Sequence, residues 1–315
     1  MLVILDQGSL DIGDIDLNSI TNQFQQWKAY DNSTSEQAMA RVKNAEIIIS
    51  NKVILDENLI SNNPQIKLIC IAATGVNNVD LNAAKKAGIA VCNVTAYATP
   101  SVVQHVFSLI LALQTNLCDY SKRVYAGEWQ TSDHFCLLKS PISELQGKTL
   151  GIIGYGELGK AVESVAKAFG MKILLAESHS GKPDKTRTAF DDVLKQADII
   201  TLHCPLTKDT ENLINSDALA KMKRSAFLIN TARGGIVNEN DLASALDNNV
   251  IAGAALDVLS KEPPADNVLI NKPRKNLIIT PHIAWASQQS RQRLIDETGK
   301  NIAAFKINEK RNRIV

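Results

Sequence analysis

The chain has 315 residues, of which 45% are hydrophobic and 21% are charged. This composition excludes whole-chain disorder, a collagen-like repeat and a disulfide-rich scaffold. Lys and Arg number 34 against 33 Asp and Glu, a formal net charge of +1, so no net field attracts nucleic acid or an anionic membrane. At roughly 150 residues per domain, the length predicts two domains.

The cysteines and the N-terminus indicate where the protein works. Five cysteines occur without a Cys-x-x-Cys pair, which favours free thiols in a reducing compartment and no metal site. The opening stretch 1–6 lacks a basic region and predicts a strand rather than a signal peptide. The most apolar stretch, residues 102–113, contains polar side chains and is shorter than the roughly 18 apolar residues of a membrane span. We therefore expect a cytoplasmic protein with no membrane or nucleic-acid partner.

Short apolar runs alternate with helical patterns in the first third of the chain. The predicted strands are 2–5, 47–49, 68–71 and 89–92, and the predicted helices are 35–44, 56–61 and 80–87. Alternation of this kind is typical of parallel strands in a sheet that helices cover.

A longer helix is predicted next. Thr99 suits the N-cap and Pro100 the first helical position, and the helix extends to about Asn116. Because it is apolar almost all round, it is expected to be buried in a core, between domains or between subunits. His105 within it is interpreted as a helix-packing residue.

The alternation resumes after Gly147. The predicted strands are 149–153, 171–176, 198–202, 226–230, 251–256 and 277–279, and the clearest helices are 157–169 and 287–305. The chain as a whole is therefore predicted to be α/β, with doubly wound parallel sheets.

A glycine-rich turn follows the strand at 149–153. The sequence Gly-Tyr-Gly-Glu-Leu-Gly at 154–159 opens an amphipathic helix, and a second strand ends at Glu177, 18 residues after Gly159. This strand, turn, helix and acidic residue form the context of a dinucleotide-binding fingerprint. The loop residues expected to contact the cofactor are Gly154, Tyr155, Gly156, Glu157, Leu158 and Gly159.

Each glycine of the fingerprint has a physical reason. Gly154 permits the tight turn, Gly156 lets the backbone approach a pyrophosphate, and Gly159 lets helix and strand pack closely. Unpaired N–H groups at the helix N-terminus attract the phosphates.

The residues after the second strand bear on the choice of cofactor. Glu177 can accept hydrogen bonds from ribose hydroxyls and would repel a 2′-phosphate, which favours NAD over NADP. Lys182, Lys185 and Arg187 follow closely. They either form a solvated basic loop or offset the charge of Glu177.

Three ionisable residues follow the later strands. Arg233 comes after the strand at 226–230, Glu262 lies in the segment after 251–256, and His282 follows 277–279. Ligands of open α/β sheets bind beyond the carboxyl ends of the strands. All three residues are therefore candidate site residues, and their joint occurrence downstream of a nucleotide fingerprint is what makes them informative.

The sequence resembles the D-isomer-specific 2-hydroxyacid dehydrogenase family over essentially its whole length. Within the family it most resembles the glycerate dehydrogenase (hydroxypyruvate reductase) branch. The family motifs are Ala72-Ala-Thr-Gly-Val-Asn-Asn-Val-Asp80, Gly154 through Gly159, Asn230-Thr-Ala-Arg-Gly234, Asp257 to Glu262-Pro and Pro281-His-Ile-Ala-Trp-Ala286; the branch signals are Cys92 to Pro100, Phe135 to Leu138 and Trp285.

The resemblance implies two Rossmann-like domains, of which the substrate domain is discontinuous. Residues 1–98 and 287–315 would form the substrate domain, and residues 99–286 the NAD-binding domain. The reaction would take place in the cleft between them. The helix after Pro100 would contribute to a homodimer interface.

The resemblance also implies an NAD-dependent oxidoreductase that acts on a small 2-keto or 2-hydroxy acid. The guanidinium of Arg233 would hold the carboxylate and polarise the carbonyl group. His282 would act as general acid, or as base in the oxidation direction, and Glu262 would orient its imidazole. Hydroxypyruvate and glyoxylate are the expected substrates, reduced to D-glycerate and glycolate.

Further contacts are implied by the same resemblance. Thr74, Gly75 and Val76 would bind the substrate carboxylate, partly through backbone N–H groups, and Trp285 would limit substrate size. The remaining cofactor contacts would come from Cys204, Thr231, Ala232 and Asp257, with Asp257 on the nicotinamide carboxamide. His203 and the thiol of Cys204 are interpreted as taking no part in the chemistry.

Two alternatives stay open at this point. Within enzymes, the substrate would be another short 2-keto acid such as pyruvate, and a phosphorylated one also remains possible. Outside enzymes, the chain would be a nonenzymatic NAD-sensing module similar to the corepressors that share this fold. A panel of 2-keto acids assayed with NADH discriminates between them.

Overall fold

The computed structural model describes residues 1–178, 184 and 186–315. The chain forms two compact units, Met1–Ala98 with Trp285–Val315, and Thr99–Ala284. The sequence predicts the second boundary after residue 286, whereas Trp285 groups with the first unit. Its indole packs edge-to-face on Tyr97, with ring centroids 6.3 Å apart.

The strands and helices are numbered in chain order. The strands are β1 Leu2–Ile4, β2 Trp27–Ala29, β3 Ile47–Ser50, β4 Leu68–Ile71, β5 Ala90–Cys92, β6 Thr149–Ile153, β7 Lys172–Leu175, β8 Ile199–Leu202, β9 Phe227–Asn230, β10 Gly253–Leu256 and β11 Leu277–Ile279. The helices are α1 Asn18–Thr21, α2 Ser35–Arg41, α3 Glu57–Ser61, α4 Leu81–Lys86, α5 Thr99–Thr115, α6 Leu117–Tyr125, α7 Glu157–Ala168, α8 Phe190–Gln196, α9 Ser216–Lys221, α10 Glu239–Asp247 and α11 Gln288–Lys306.

The first unit contains a five-stranded parallel sheet with the order β2-β1-β3-β4-β5. Its inner strands are continuous apolar runs because both faces are covered, and all four residues of β3 and of β4 are buried. Polar N-caps begin the helices. Thr34 forms a capping box with Gln37 before α2, and Asp80 accepts the Ala83 N–H before α4.

A buried carboxylate lies at the point where the strand order of the first sheet reverses. Asp6 follows β1 and is 3% exposed. Its oxygens accept the backbone N–H groups of Asn51, Lys52 and Val53, which follow β3, at 2.6 to 3.3 Å. Asp6 therefore satisfies the amides that point toward the gap between the ends of β1 and β3.

The second unit contains a six-stranded parallel sheet with the order β11-β10-β9-β8-β6-β7. One face packs on an apolar cluster that includes Val193, Leu219 and Leu242, while α5 and α7 pack against other parts of the same sheet. The strand order reverses between β6 and β8. The segments that follow these strands at their carboxyl ends are 154–159, 203–204, 231–234, 257–262 and 280–284.

The predicted fold class, two doubly wound parallel α/β units with the first discontinuous in sequence, is confirmed. Six elements are absent from the sequence prediction, namely the short helices α1, α8, α9 and α10 together with β2 and α6. The edge strand β2 has three half-buried or exposed residues, and α6 begins after Asn116, whose φ of +50° ends α5. Among the described residues, no single helix is long and apolar enough to cross a membrane, and only the α5–α6 pair, bent by 60°, meets both criteria jointly.

Candidate active site

The glycine loop joins β6 to α7 at the reversal point of the second sheet. Gly154 has φ +93°, and a Cβ there would lie 2.3 Å from the backbone nitrogen of Cys204. A Cβ at Gly159 would lie 2.3 Å from the carbonyl oxygen of Gly154. Both positions therefore require glycine because other backbone already occupies the space of a side chain.

Gly156 differs from these two glycines. It is the N-cap of α7 with φ −84°, and a Cβ added there would meet no atom within 4 Å among the described residues. The helix has no side-chain cap, so the amides of its first turn keep their hydrogen-bonding capacity. An open space at the N-terminus of a 12-residue helix fits the pyrophosphate of a dinucleotide.

The other loop residues are held by polar contacts. The hydroxyl of Tyr155 donates to Glu163, and this bond raises the pKa of Tyr155. The carboxylate of Glu157 accepts a hydrogen bond from the hydroxyl of Thr99. Leu158 is half-buried in the first turn of α7. Tyr155 and Glu157 are therefore hydrogen-bonded to residues outside the loop.

Glu177 is exposed just beyond β7, where its backbone N–H donates to the carbonyl of Thr188 at 2.9 Å. Arg187 lies beside it. Its guanidinium stands 5.2 Å from the ring centroid of Tyr155, and it donates to the carbonyl of Ala176 and to Asp184, both at 3.3 Å. The charge of Arg187 is thus shared with Asp184. Lys182 and Lys185 lie outside the described residues.

Three predicted cofactor contacts follow β8 and β9. Cys204 is half-buried, and burial raises the pKa of its thiol. Thr231 has a buried hydroxyl oxygen with no hydrogen-bond partner among the described residues. The N–H of Ala232 donates to the Oδ1 of Asn230 at 3.0 Å. The neighbouring His203 stays neutral, because burial lowers its pKa to about 4.

The loop of Arg233 is shaped by Asn230, which belongs to a family motif but had no role assigned from the sequence. The Nδ2 of Asn230 donates to the backbone oxygen of Arg233 at 2.9 Å, and the exposed guanidinium donates to the carbonyl of Ala232 at 2.7 Å. A Cβ on Gly234 would lie 1.9 Å from the carbonyl carbon of Leu259. The loops after β9 and β10 are therefore in direct backbone contact.

The backbone contact between Gly234 and Leu259 connects the loop of Arg233 to the predicted acid–base pair. That pair consists of Glu262 and His282. The backbone N–H of Leu259 donates to Oε1 of Glu262 at 2.9 Å. The other carboxylate oxygen, Oε2, accepts from Nδ1 of His282 at 2.5 Å. The two side chains are 34% and 30% exposed. The carboxylate fixes the proton on Nδ1 and leaves Nε2 to exchange a proton with a ligand.

Asp257 directly follows β10 and begins the segment that carries Glu262. It is 1% exposed, and it accepts from the hydroxyl of Thr280 at 2.5 Å and from the amides of Ile283 and Ala284 at 2.9 and 2.8 Å. Nε2 of His105, on α5, lies 3.4 Å from Oδ1 of Asp257. Burial raises the pKa of Asp257, but the hydrogen bonds from His105, Thr280 and the amides outweigh it and hold the pKa below its usual value.

The remaining predicted residues belong to the first unit. Thr74 is exposed, and its hydroxyl donates to the carbonyl of Val94 at 3.0 Å. Gly75 and Val76 follow it and are half-buried. Trp285 is half-buried against the apolar core of this unit. Contacts within the second unit therefore link the loop of Arg233 to Glu262 and His282. The predicted substrate-binding residues Thr74, Gly75, Val76 and Trp285 lie in the first unit.

Comparisons with known proteins show which family the chain resembles. Residues 107–284 match the family model described as "D-isomer specific 2-hydroxyacid dehydrogenase, NAD binding domain". The chain is 43% identical over 306 residues to a glycerate dehydrogenase of Methylorubrum extorquens, covering 96% of this chain and 95% of the relative. It is 36% identical over 312 residues to a hydroxypyruvate reductase of Blautia hydrogenotrophica, covering 96% of each.

A solved structure shows the same likeness. The D-lactate dehydrogenase of Aquifex aeolicus, complexed with NAD and lactic acid, superimposes with a TM-score of 0.82 at 31% identity, covering 98% of this chain and 96% of that one.

A parallel sheet with a glycine loop and an open helix N-terminus at its reversal point is typical of a dinucleotide-binding domain. The chain belongs to the D-isomer-specific 2-hydroxyacid dehydrogenase family, and its second unit is the NAD-binding domain of that family. The family resemblance and the NAD cofactor predicted from the sequence are both confirmed.

Proposed function

We propose that this protein uses NADH to reduce a short 2-keto acid, with hydroxypyruvate or glyoxylate converted to D-glycerate or glycolate. The observation that carries the proposal is the Glu262–His282 pair, which adjoins the loop of Arg233 through the contact between Gly234 and Leu259. The names of the relatives, glycerate dehydrogenase and hydroxypyruvate reductase, support this choice of substrates.

The proton transfer follows from the ring orientation of His282. The bound dinucleotide supplies hydride chemistry. Because Nδ1 donates to Glu262, the imidazolium form keeps a proton on Nε2, and this proton passes to the keto oxygen as it becomes a hydroxyl group. In the oxidation direction, the neutral ring accepts the same proton.

Arg233 is the proposed carboxylate partner. Its guanidinium is exposed at the end of β9, and a planar fork of N–H donors matches the two oxygens of a carboxylate or a carboxylate and a keto oxygen. Asn230 fixes the backbone of this loop. Thr74, Gly75, Val76 and Trp285 are proposed to complete substrate binding from the first unit, a role that rests on the family resemblance.

The groups that would hold the dinucleotide lie at the ends of β6 to β10. The loop 154–159 and the first turn of α7 suit the pyrophosphate, and Glu177 suits the ribose hydroxyls. Cys204, Thr231 and Ala232 are proposed to line the same groove. Asp257 is predicted to contact the nicotinamide carboxamide, yet its oxygens already accept from its own loop, so that contact stays a prediction. A homodimer that uses α5 and a cytoplasmic location also stay predictions.

A substrate panel tests the proposal. Purified protein is mixed with hydroxypyruvate, glyoxylate or pyruvate and with NADH or NADPH, and the loss of reduced cofactor is followed by absorbance. We expect the highest kcat/KM for hydroxypyruvate or glyoxylate with NADH. Preference for pyruvate would favour the lactate-type alternative. Tight NADH binding without turnover of any acid would favour a sensor.

Variants of the proposed site separate binding from chemistry. His282→Ala should lower kcat by orders of magnitude while NADH still binds, and Arg233→Ala should impair both KM for the keto acid and kcat. A kcat of His282→Ala within tenfold of wild type would contradict the acid role. For the cofactor, Glu177→Gln should raise the affinity for NADPH relative to NADH, as measured by equilibrium titration, because the repulsion of the 2′-phosphate is removed.

A further inference from the structure

We infer that His105 is a positioning residue for the reaction: through Thr280 and the buried carboxylate of Asp257, it holds the backbone on which His282 is mounted. This inference rests on the proposed role of His282. His105 lies on α5, more than 170 residues before His282 in sequence, and it has no direct part in the proton transfer.

The first step of the argument concerns the backbone around His282. This residue has φ +56°, a left-handed conformation that costs of order 1 kcal/mol or more in a residue with a side chain and must be held by its surroundings. The N–H of His282 donates to the carbonyl of Asp257 at 2.8 Å, and the next two amides donate to the Asp257 side chain. Asp257 thus fixes the chain both at His282 and immediately after it.

The second step concerns the charge on Asp257. A carboxylate that is 1% exposed keeps its charge only when hydrogen bonds replace its hydration. Two backbone amides and the Thr280 hydroxyl supply part of this stabilisation. The imidazole of His105 lies beside them, with Nε2 3.4 Å from Oδ1 of Asp257. Without His105, the buried charge would be stabilised less, and the bonds that shape the loop would weaken.

The third step assigns the proton on His105. The Thr280 hydroxyl has one proton and donates it to Oδ1 of Asp257 at 2.5 Å. The contact of 2.9 Å between the same oxygen and Nε2 of His105 therefore needs the histidine as donor. Nε2 thus carries a proton, and a polar chain runs from α5 through Thr280 to Asp257 and ends at the amides beside His282.

Two substitutions at position 105 test the role. His105→Gln keeps an N–H donor on a side chain of similar length, whereas His105→Leu keeps bulk and helix propensity but donates no hydrogen bond. Ser108→Ala serves as the control, because Ser108 is exposed on the same helix and bonds only to its own helix, at Gln104. We expect kcat to fall about tenfold or more in His105→Leu, a barrier increase of roughly 1.4 kcal/mol.

The pattern among variants distinguishes positioning from simple packing. The dissociation constant for NADH should stay within about twofold of wild type in His105→Gln, His105→Leu and Ser108→Ala. The kcat of His105→Gln should lie within about threefold of wild type. Equal kcat for the Leu and Gln variants, or a kcat of His105→Leu within twofold of wild type, would overturn the inference. If His105→Leu does not fold, His105→Asn takes its place, since its shorter amide retains polarity but cannot span the same distance.

A spectroscopic readout separates this inference from the proposed substrate. In protein labelled with ¹⁵N-histidine, the ring shifts of His282 report whether Nδ1 keeps the proton that it shares with Glu262, and His282→Ala assigns the signal. We expect the Nδ1-protonated pattern in wild type and His105→Gln, and its loss or broadening in His105→Leu. An unchanged His282 signal in His105→Leu would contradict the inference even if no keto acid is ever turned over.

Discussion

The structure leaves no room for a side chain at Gly234, and Gly234→Ala tests how the site is assembled. The new Cβ would lie 1.9 Å from the carbonyl carbon of Leu259, 2.1 Å from its oxygen and 2.3 Å from the nitrogen of Ser260. Carbon atoms in contact stand about 3.5 Å apart or more. Because the opposing atoms are all backbone, the two loops must separate by roughly 1.5 Å.

The separation would reach the acid–base pair in two steps. Leu259 holds Oε1 of Glu262 through its backbone N–H, and Oε2 holds His282. A misplacement of about 1 Å at a catalytic group costs on the order of 100-fold in rate, and overpacking costs about 1–3 kcal/mol in the free energy of unfolding. We expect kcat/KM for hydroxypyruvate to fall about 100-fold, with NADH affinity within about threefold of wild type.

Gly235→Ala is the matched control. A Cβ there would lie 3.2 Å from the nearest atom, Cδ2 of Leu206, and the end of a flexible side chain can move aside. Steady-state rates with NADH, equilibrium titration of NADH and thermal melting are measured for both variants. If Gly234→Ala keeps kcat/KM within threefold of wild type, or if Gly235→Ala loses as much, the argument that backbone contact aligns the site is refuted.

Three further predictions concern separate features. Gly156→Ala should fold normally, because the new Cβ meets open space. It should raise the dissociation constant for NADH about tenfold or more, because the methyl group fills the space that the pyrophosphate needs. An unchanged dissociation constant would contradict this. Glu262→Gln should slow reduction about 5- to 150-fold, because the charge-assisted hydrogen bond to His282 is replaced by a neutral one and loses roughly 1–3 kcal/mol. A rate within twofold of wild type would argue against the pair. Folding lowers the pKa of His203 from 6.5 to about 4. As the pH falls through this range, the unfolded chain binds a proton before the folded one does, so the free energy of unfolding drops by about 3 kcal/mol at most. Denaturant titrations of His203→Gln at several pH values should lack this pH-dependent loss.

Much of the fold follows from the sequence, because the pattern that builds a buried parallel strand is local. Runs such as Leu68–Ile71 have no other favourable location than a covered sheet, and the predicted and observed bounds agree there. The three-residue strand β2 has no such pattern: its residues are exposed or half-buried, and only pairing with β1 makes it a strand. Local pattern therefore predicts inner strands better than edges.

The candidate site likewise combines features that the local sequence predicts with features that only the fold brings together. Glycine spacing and the strand-end positions of Arg233 and His282 are visible in the sequence, since each depends on neighbours along the chain. The link from His105 to Asp257, and the packing of Gly234 on Leu259, depend on elements far apart in sequence. His105 accordingly looks like an ordinary helix-packing residue until the strand order brings α5 over β10 and β9.

The two sheets of this protein reverse their strand order in the same way but fill the reversal point differently. In the first sheet, Asp6 places a negative charge of the chain itself against the amides after β3. In the second, Gly156 leaves open space at the N-terminus of α7, which follows β6. At the point where the strand order reverses, the first sheet thus presents a buried carboxylate and the second an uncapped helix N-terminus, so an anion is repelled at the first position and attracted at the second.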